Sequence, residues 1–413
     1  MTLTAILKRL LTRRVSPGQP SGDPIWWWPQ SASGENVNPD SARGLSAYYA
    51  CVRNISEDIA KLPIDIIRRD GPDREPLPNH RIDKLLNTEP NEDSIAISVR
   101  EALTAWAMGW GNGWAAIERN GRGEVHGVYP VHPSRVELKR DPSNTLWALV
   151  ASGEGQRVWV PYADMFHLHG LGDGLLGESV AKIGCDSIGH ALAVQKHSAA
   201  LYRSGATDRI ALEHPGKLGE TAAKNLRTSW QEVYGGAGNY RPAGLEEGMK
   251  ASKIGINPKD AQLIETMQFS VEDIARWFRC PLSKIQNYLR AQGWSTLEML
   301  NTDYVTDTLM PWLIRWEQET QRKLFTGSEG NLRAKHNVNS LMRGDSGARS
   351  KYYQTMNSFG ALHVNEIREL EDLNGIGPVG DVRLVPANMR PLATIMDEPV
   401  PEPEPGGDPD PTE

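Results

Sequence analysis

The sequence predicts an α+β protein, and two patterns along the chain support that prediction. Short apolar runs separated by turn residues fill positions 114–170, which is typical of antiparallel strands joined by local connections. Beyond residue 178, apolar residues recur at the three-to-four-residue spacing of helices. The 413 residues suffice for two or three domains of roughly 100–200 residues each.

The net charge of −7 comes from the C-terminal end of the chain. Residues 397–413 hold seven acids and no base, and without them 45 basic residues face 45 acidic ones. Tight nonspecific DNA binding requires a basic excess that releases counterions. A DNA partner is therefore expected to be held weakly or locally. The acidic, Pro-rich end is predicted to be disordered over 391–413.

The N-terminal region is predicted to be an arm. Residues 1–14 have the spacing of a short amphipathic helix but are too short and too charged for a signal peptide or a membrane span. Residues 15–44 are rich in Pro, Gly and Ser around Trp26, Trp27 and Trp28, whose rings dock either on a neighbouring subunit or on the same chain. The three cysteines, Cys51, Cys185 and Cys280, are far apart and odd in number, which predicts reduced thiols.

The first elements follow from apolar spacing and from breakers. A helix is predicted from residue 46 to Pro63, with an apolar stripe of Tyr49, Val52, Ile55, Ile59 and Leu62. A strand is predicted at 64–68, with a turn at 70–72. Further strands are predicted at 114–119, 125–131, 136–139, 146–151, 157–161 and 165–169, with a turn at 121–123.

Helices are predicted over 178–203, 218–234, 260–279, 296–324 and 345–373. Ser270 followed by Asp273 resembles a capping box, which predicts a kink or restart inside the third of them. Pro311 predicts a bend in the fourth. The segment 235–258 is rich in Gly and Pro and is predicted to be a small excursion between helices.

The best indication of an enzyme is the run Gly-Asp-Gly-Leu-Leu-Gly at 172–177, which fits the dinucleotide fingerprint G-x-G-x-x-G between a strand and a helix. That fingerprint also requires an acidic residue about 20 positions on, whereas residues 191–200 continue a helical pattern without an acid. A tight strand-to-helix turn is therefore favoured. A nucleotide-dependent oxidoreductase or transferase using this turn is the alternative.

Other catalytic patterns are weak. His167 and His169 would project from one face of a strand, as metal ligands can, but no ligand cluster accompanies them, so a packing role is favoured. The sequence contains no G-x-x-x-x-G-K-[ST], G-x-S-x-G or H-E-x-x-H motif. A nuclease would need clustered metal carboxylates, and adjacent acids such as Glu246 and Glu247 are predicted to be solvated. No catalytic residue, cofactor or metal is predicted.

A polar stretch at 286–295 lies between two apolar helices and combines a cation with aromatic rings. Its Arg290 and Trp294 are suited to contact a phosphate backbone or to stack on a base. An ordinary loop with a docked Trp is the equally weighted alternative.

Seven stretches occur in a characteristic order: SAYYACVRNI at 46–55, IAKLP at 59–63, GLLGES at 174–179, LEHPGKL at 212–218, LEEGMK at 245–250, DAQLIET at 260–266 and EDIAR at 272–276. Together they resemble the portal protein family of tailed bacteriophages, in its shorter form, over residues 45–390. The resemblance implies a ring of roughly twelve identical subunits closed by heterologous contacts. Such a ring is the channel at the capsid vertex through which double-stranded DNA is packaged and ejected.

The resemblance also implies partners and a location. The partners are other copies of the chain, viral double-stranded DNA, the terminase large subunit, a head–tail adaptor, the major capsid protein and scaffold, with no membrane. The terminase ATPase supplies the energy, so the ring itself is not an enzyme. Its expected location is the virion, after assembly in the host cytoplasm.

The implied parts are an N-terminal arm, partly disordered (1–44), an α+β wing (45–216), stem helices (217–280) with a clip at about 235–258, a tunnel loop and long wing helix (281–338), a helical crown (339–390) and the acidic tail. The DNA-facing tunnel loop would contain Asn287, Tyr288, Arg290, Gln292 and Trp294. The clip would dock partners through Arg241, Glu246, Glu247 and Lys250. Between Ile285 and Trp294 the chain is one residue longer than the family pattern, which leaves open the side chains that face the bore.

Overall fold

The computed structural model describes residues 28–71, 73–151, 156–203, 210–213, 216, 219–221, 224–225, 228, 249–253, 260–285, 300–338, 346–371 and 373–384. The chain forms two compact units, residues 1–337 and 338–413. The helix predicted at 1–14, most of that at 218–234 and the acidic tail lie outside the described residues. Helices and small antiparallel sheets occur together, which confirms the α+β prediction.

The first unit begins with a short helix, α1 (Pro39–Ala42), and a longer one, α2 (Ser46–Ala60). The buried face of α2 differs from the prediction by one position, because Tyr48 is 1% exposed whereas Tyr49 is 45% exposed. A repeat of 3.6 residues places positions 48, 55 and 59 on one face and leaves position 49 at its edge. The placement of Tyr49 in the apolar stripe was therefore wrong.

Residues 28–44 of the predicted arm pack onto the same chain. Ser31 lies against Gly189, where a Cβ atom would be only 2.2 Å from the serine Oγ. The ring of Trp28 contacts that of Trp110 edge-on, with 5.3 Å between ring centroids. Of the two possibilities, docking on a neighbouring subunit or on the same chain, the structure shows the second for residues 28–44. The two preceding tryptophans lie outside the described residues.

The first sheet joins distant parts of the chain. Strand β1 (Ile64–Asp70) pairs antiparallel with β2 (Asp73–Pro76) and with β11 (Leu332–His336), in the order β11-β1-β2. Helices α3 (Arg81–Asn87) and α4 (Ala96–Gly109) follow in the chain. Arg100 of α4 is buried, and its guanidinium donates to the carbonyls of Ile59 and Leu62, so it holds the end of α2 in place.

Two three-stranded antiparallel sheets enclose the core formed by residues 112–169. One has the order β4-β3-β8 and contains β3 (Asn112–Arg119), β4 (Val125–Val131) and β8 (Met165–His169). The other has the order β5-β6-β7 and contains β5 (Val136–Arg140), β6 (Leu146–Ala151) and β7 (Arg157–Pro161). Their facing side chains form one cluster that includes Trp114, Val150 and Met165. The strand predictions for this region are confirmed, with β3 starting two residues earlier than predicted.

The single helix predicted at 178–203 is wrong, because Gly184 divides it into α5 (Val180–Ile183) and α6 (Cys185–Arg203). Gly184 lies against the indole of Trp277, where a Cβ would be 3.1 Å from the ring. The Trp277 ring therefore leaves little room for a larger side chain at this break.

Strand β9 (Ile210–Glu213) pairs antiparallel with β10 (Lys250–Lys253). Helix α7 (Asp260–Phe278) then continues through Ser270, so the restart predicted there is wrong. The Ser270 hydroxyl donates to the carbonyl of Thr266 one turn earlier and therefore does not cap a new helix.

The helix containing Pro311 is distorted, as predicted. A π-helical segment, Tyr304–Leu309, directly precedes helix α8 (Met310–Lys323), and Pro311 lies in the first turn of α8. Proline lacks the N–H that an α-helix would use at this position, and a wider turn accommodates that loss.

The second unit contains α9 (Ser346–Ser358) and α10 (Val364–Leu370). The helical portion predicted at 345–373 is thus two helices, divided at Gly360, whose φ is +64°. Polar contacts join them: the Glu371 carboxylate accepts a hydrogen bond from Tyr353 at 2.7 Å and pairs with Arg349 at 3.1 Å. Gly380 is the only buried residue among those described beyond 346 whose burial is recorded.

Candidate functional site

The predicted DNA-facing residues, Asn287, Tyr288, Arg290, Gln292 and Trp294, lie outside the described residues. The structure does describe both ends of the segment 286–299 that contains them. Its first end is a 3₁₀ turn, Leu282–Lys284, and its second end enters a helix by Leu300. The described candidate site is therefore the anchorage of this loop, not the loop itself.

Both ends of the loop are fixed to α2. The Asn54 amide donates to the backbone carbonyl of Lys284 at 2.7 Å. On the other end, the Tyr304 hydroxyl donates to Asp58 at 2.9 Å, and burial beside this carboxylate raises the pKa of Tyr304. The Lys284 ammonium lies 4.9 Å from the centre of the Tyr304 ring, a cation–π contact that joins the two ends.

The C-terminal end of α7 forms a third anchor. The N–H of Cys280 donates to the carbonyl of Ala275 and the N–H of Arg279 to that of Arg276, which is the hydrogen-bond pair of a Schellman cap. Arg279 occupies the left-handed position of this cap, with φ +52°. Its carbonyl accepts a hydrogen bond from Thr308 at 2.6 Å, which joins α7 to the π-helical segment.

Because a side chain at a left-handed position costs free energy, Arg279→Gly is expected to stabilise the subunit by about 1 kcal/mol. The matched control is Arg276→Gly, one turn earlier inside the helix, which is expected to destabilise by about 1 kcal/mol. Chemical denaturation followed by circular dichroism measures both. Equal losses in the two variants would contradict the left-handed assignment.

A groove of about 400 Å³ adjoins these anchors. Its ionisable lining includes two bases, Arg276 and Arg279, and three acids, Glu272, Asp303 and Asp307. The mixed charge agrees with the neutral balance of the chain without its tail and does not create a strongly basic surface. Cys280 and Tyr304 also line this groove.

The predicted clip residues are only partly described. Arg241, Glu246 and Glu247 lie outside the described residues, whereas Lys250 begins β10 and is exposed. Lys250 is paired in register with Glu213 of β9, a residue that the predicted boundaries assigned to the wing. The structure thus attaches this end of the predicted clip to a two-stranded ribbon.

The glycine-rich turn at 172–177 is built for close backbone packing. A Cβ on Gly177 would lie 2.0 Å from the carbonyl oxygen of Gly111. The Asp173 carboxylate accepts the N–H groups of Leu175 and Leu176, at 2.8 and 2.7 Å. The Gly177 N–H donates to Asn112. A phosphate cradle needs such N–H groups to be available, so the geometry gives the nucleotide alternative no support.

His167 is a packed core residue. Its ring stacks on Trp114 with 3.6 Å between centroids and hydrogen-bonds to Asn112 and Tyr162 at 2.9 and 3.0 Å. Burial holds the pKa of His167 well below its usual range, with nearby His169 and Lys323 adding to the effect. The favoured packing role is confirmed for His167.

Because His167 stays neutral when folded, the unfolded state binds its proton first as the pH falls below about 6.5. As the pH falls from about 6.5 to the folded pKa of His167, this residue should therefore lower the free energy of unfolding by about 1.4 kcal/mol per pH unit. His167→Gln is expected to remove this contribution to the pH dependence of stability, whereas His190→Gln, at an exposed position, should leave the pH dependence unchanged.

Urea titrations at pH 7.5, 6.5 and 5.5 give the free energy of unfolding at each pH. The same pH dependence in His167→Gln as in the unaltered protein would refute the prediction.

Two negative findings concern only the described parts of the chain. There, His, Cys, Asp and Glu side chains do not gather in groups of three or more that could hold a metal ion. No helix in those parts combines the length and apolar character needed to cross a bilayer.

Sequence reasoning missed the anchor residues of the loop. Asn54 and Asp58 are polar residues at i and i+4 on one side of α2, which is a detectable signal. Their partners could not be inferred, because Lys284 lies 230 residues after Asn54 and Tyr304 lies 246 residues after Asp58.

The model of the family described as phage portal protein matches residues 46–372. The chain belongs to the phage portal protein family. The portal protein of Enterobacteria phage HK97 is 29% identical to it over 398 residues, covering 93% of this chain and 91% of that relative. The resemblance in sequence is confirmed by this match.

Solved structures share the portal fold. An HK97 family phage portal protein from Corynebacterium diphtheriae superposes with a TM-score of 0.56 at 14% identity, covering 74% of this chain and 96% of the other. A chain in the neck of a native gene transfer agent particle, computed with C12 symmetry, gives a TM-score of 0.53 at 19% identity, covering 81% and 91%. These matches agree with the α+β architecture of the portal subunit.

Proposed function

We propose that this portal protein forms a closed ring at a capsid vertex and that double-stranded DNA passes through the ring during packaging and ejection. The observation that carries the proposal is the family match over residues 46–372. The structural relative in a particle neck with C12 symmetry supports a ring of about twelve subunits joined by heterologous contacts.

Exposed apolar side chains on α7 support a subunit interface. Met267, Phe269 and Trp277 are 42%, 58% and 39% exposed in the single chain. Large apolar groups are removed from water at subunit contacts. The β9-β10 ribbon also supports such contacts, because a two-stranded ribbon is marginally stable alone and its edges can pair with a neighbour.

The proposed parts keep the boundaries given by the resemblance: wing 45–216, stem 217–280, clip near 235–258, tunnel loop and wing helix 281–338, and crown 339–390. The division of the chain after residue 337 supports a separate crown. Terminase, a head–tail adaptor, the capsid protein and scaffold are the proposed partners. Arg241, Glu246, Glu247 and Lys250 are the proposed docking residues of the clip.

The ring is proposed to be a passive conduit in the virion, assembled in the host cytoplasm, with the terminase ATPase supplying the energy. Near-neutral charge supports this role, because DNA carries one charge per roughly 1.7 Å and a strongly basic bore would retain it. Asn287, Tyr288, Arg290, Gln292 and Trp294 are the proposed DNA-facing residues. The fixed loop ends at Lys284 and Tyr304 support a loop that bears load from moving DNA.

The proposal is tested by deleting residues 287–294. The described anchors remain in that variant, so rings are expected to form normally while DNA packaging or retention falls sharply. Native mass spectrometry and electron microscopy measure assembly, and nuclease-protected DNA measures packaging.

The matched control deletes residues 406–413, which removes the same number of residues from the acidic tail. This variant should both assemble and package, because an acidic, Pro-rich segment cannot bury a core. Loss of the ring on deleting 287–294 would refute the loop assignment. Purified full-length protein that stays monomeric under all conditions would refute the ring.

A further inference from the structure

Two of the three cysteines meet in the folded chain. Cys51 lies on α2 and Cys280 follows α7, and both are buried. Contacts on either side bring the two residues together, because Tyr48 packs on Phe278 and Asn54 bonds to Lys284. The sequence alone does not indicate this pairing, because 228 residues lie between Cys51 and Cys280.

The backbones that carry the pair are held on both sides. One turn before Cys51, the Tyr48 ring packs edge-on against Phe278 with 5.0 Å between centroids. One turn after it, Asn54 donates to the carbonyl of Lys284. The Schellman cap fixes Cys280 itself. This packing holds the two backbones beside each other, which is the arrangement that disulfide formation requires.

The two thiols have different chemical roles. The hydrogen bond from Cys51, helped by the charge of Lys284, lowers the pKa of Cys280. The same hydrogen bond and burial raise the pKa of Cys51. Thiolates are the attacking species in disulfide exchange, so Cys280 is the nucleophile. Cys280 also lines the groove beside the loop anchors, and this groove is the route by which an oxidant reaches its sulfur.

We propose that Cys51 and Cys280 are an oxidisable dithiol that stays reduced in the cytosol and closes to a disulfide in an oxidising medium. That this oxidation happens in a released virion rests on the proposed function. The ability of the two thiols to form a disulfide does not depend on it. Virions outside the cell meet such a medium, whereas thiols in the cytosol are kept reduced. The bond would fasten α2, which holds both loop ends, directly to the end of α7.

With oxidised glutathione as the oxidant, the reaction balances in two exchanges. The Cys280 thiolate attacks one glutathione sulfur, breaks the S–S bond and releases one glutathione thiolate. Cys51 then gives up its proton to that thiolate, and its sulfur displaces the second glutathione from Cys280. Two protein thiols are oxidised to one disulfide, and one glutathione disulfide is reduced to two thiols.

Cys185 is the internal control. It is also buried, but its thiol donates to the carbonyl of Pro29 and not to another cysteine. Burial raises the pKa of Cys185, so it should react slowly with oxidised glutathione.

The experiment treats purified full-length protein with oxidised glutathione, blocks the remaining thiols with N-ethylmaleimide in denaturant, and identifies the digested peptides by mass spectrometry. We expect a linked Cys51–Cys280 peptide and alkylated Cys185. Because the bond closes a loop of about 230 residues, the melting temperature should rise by several degrees and return on reduction with dithiothreitol. Cys51→Ala should abolish both effects, and Cys185→Ala should change neither.

Glutathione retained on Cys280, full alkylation of all three thiols, or a bridge involving Cys185 would overturn the proposal. Native mass spectrometry of the same samples separates it from the ring assignment. Rings without the linked peptide would refute the dithiol alone. Monomers that contain the linked peptide would refute the ring alone.

Discussion

Gly177→Ala is expected to lower the free energy of unfolding by about 3 kcal/mol and to reduce the yield of soluble subunit. The added methyl would lie 2.0 Å from the carbonyl oxygen of Gly111 and 2.6 Å from the backbone nitrogen of Gly170. Backbone atoms cannot rotate away as a flexible side chain can, so the α4–β3 connection must shift. Urea denaturation followed by circular dichroism gives the difference from the unaltered protein.

Gly121→Ala is the control, because a Cβ at Gly121 would meet no atom within 4 Å. It should change stability by less than about 0.5 kcal/mol. Similar stabilities for the two variants would show that the turn and the α4–β3 connection do not approach closely.

The same turn separates the portal assignment from the nucleotide alternative. NAD, NADP and ATP are expected to give flat titrations, since Asp173 and Asn112 already occupy the N–H groups of the turn. Saturable binding that is lost in Gly174→Asp would reopen the enzyme hypothesis.

Trp316→Ala is expected to cost about 3–5 kcal/mol, the range for removing a large aromatic side chain from a core. Trp316 of α8 is 2% exposed, packs 5.1 Å from the ring of Phe166, and donates its indole N–H to Thr104 at 3.1 Å. The substitution removes the packing that joins α8 to β8 and α4. It also removes the donor to the Thr104 hydroxyl. Denaturation monitored by circular dichroism avoids the change in tryptophan fluorescence.

Trp159→Ala, on β7, removes the same side chain from a position that is 49% exposed. This control should lose no more than about 1 kcal/mol. A loss in Trp316→Ala that is no larger than in the control would contradict the burial of Trp316.

The strands of residues 112–169 were predictable because their signals are local. Alternating apolar residues between turns gave the correct bounds of β4, β6, β7 and β8. Strand β11 was not predicted, and it pairs with the distant β1. Two helix errors have different origins. Gly184, where the helix predicted at 178–203 divides, lies against the distant Trp277. The error at Ser270 is local, because its hydroxyl bonds back to Thr266 instead of capping a new helix.

The candidate site was predictable only as a segment of chain. Composition indicated a polar loop between two helices, but nothing local specified that Asn54 and Asp58 would hold its ends. The proximity of Cys51 and Cys280 has the same origin. Helices α2 and α7 are distant in sequence and come together only when the chain folds. Long-range contacts of this kind depend on tertiary packing. The spacing of apolar residues along the sequence does not specify which distant residues will meet.

The helical pair formed by α9 and α10 has a thermodynamic consequence. Its described helices are joined by polar contacts such as Tyr353 with Glu371, and they bury little apolar surface of their own. Helices this short are marginal in water without packing. The pair should therefore open at a lower free energy than the packed core of the first unit, so the amide hydrogens of α9 and α10 should exchange with solvent faster than those of α4 and α8.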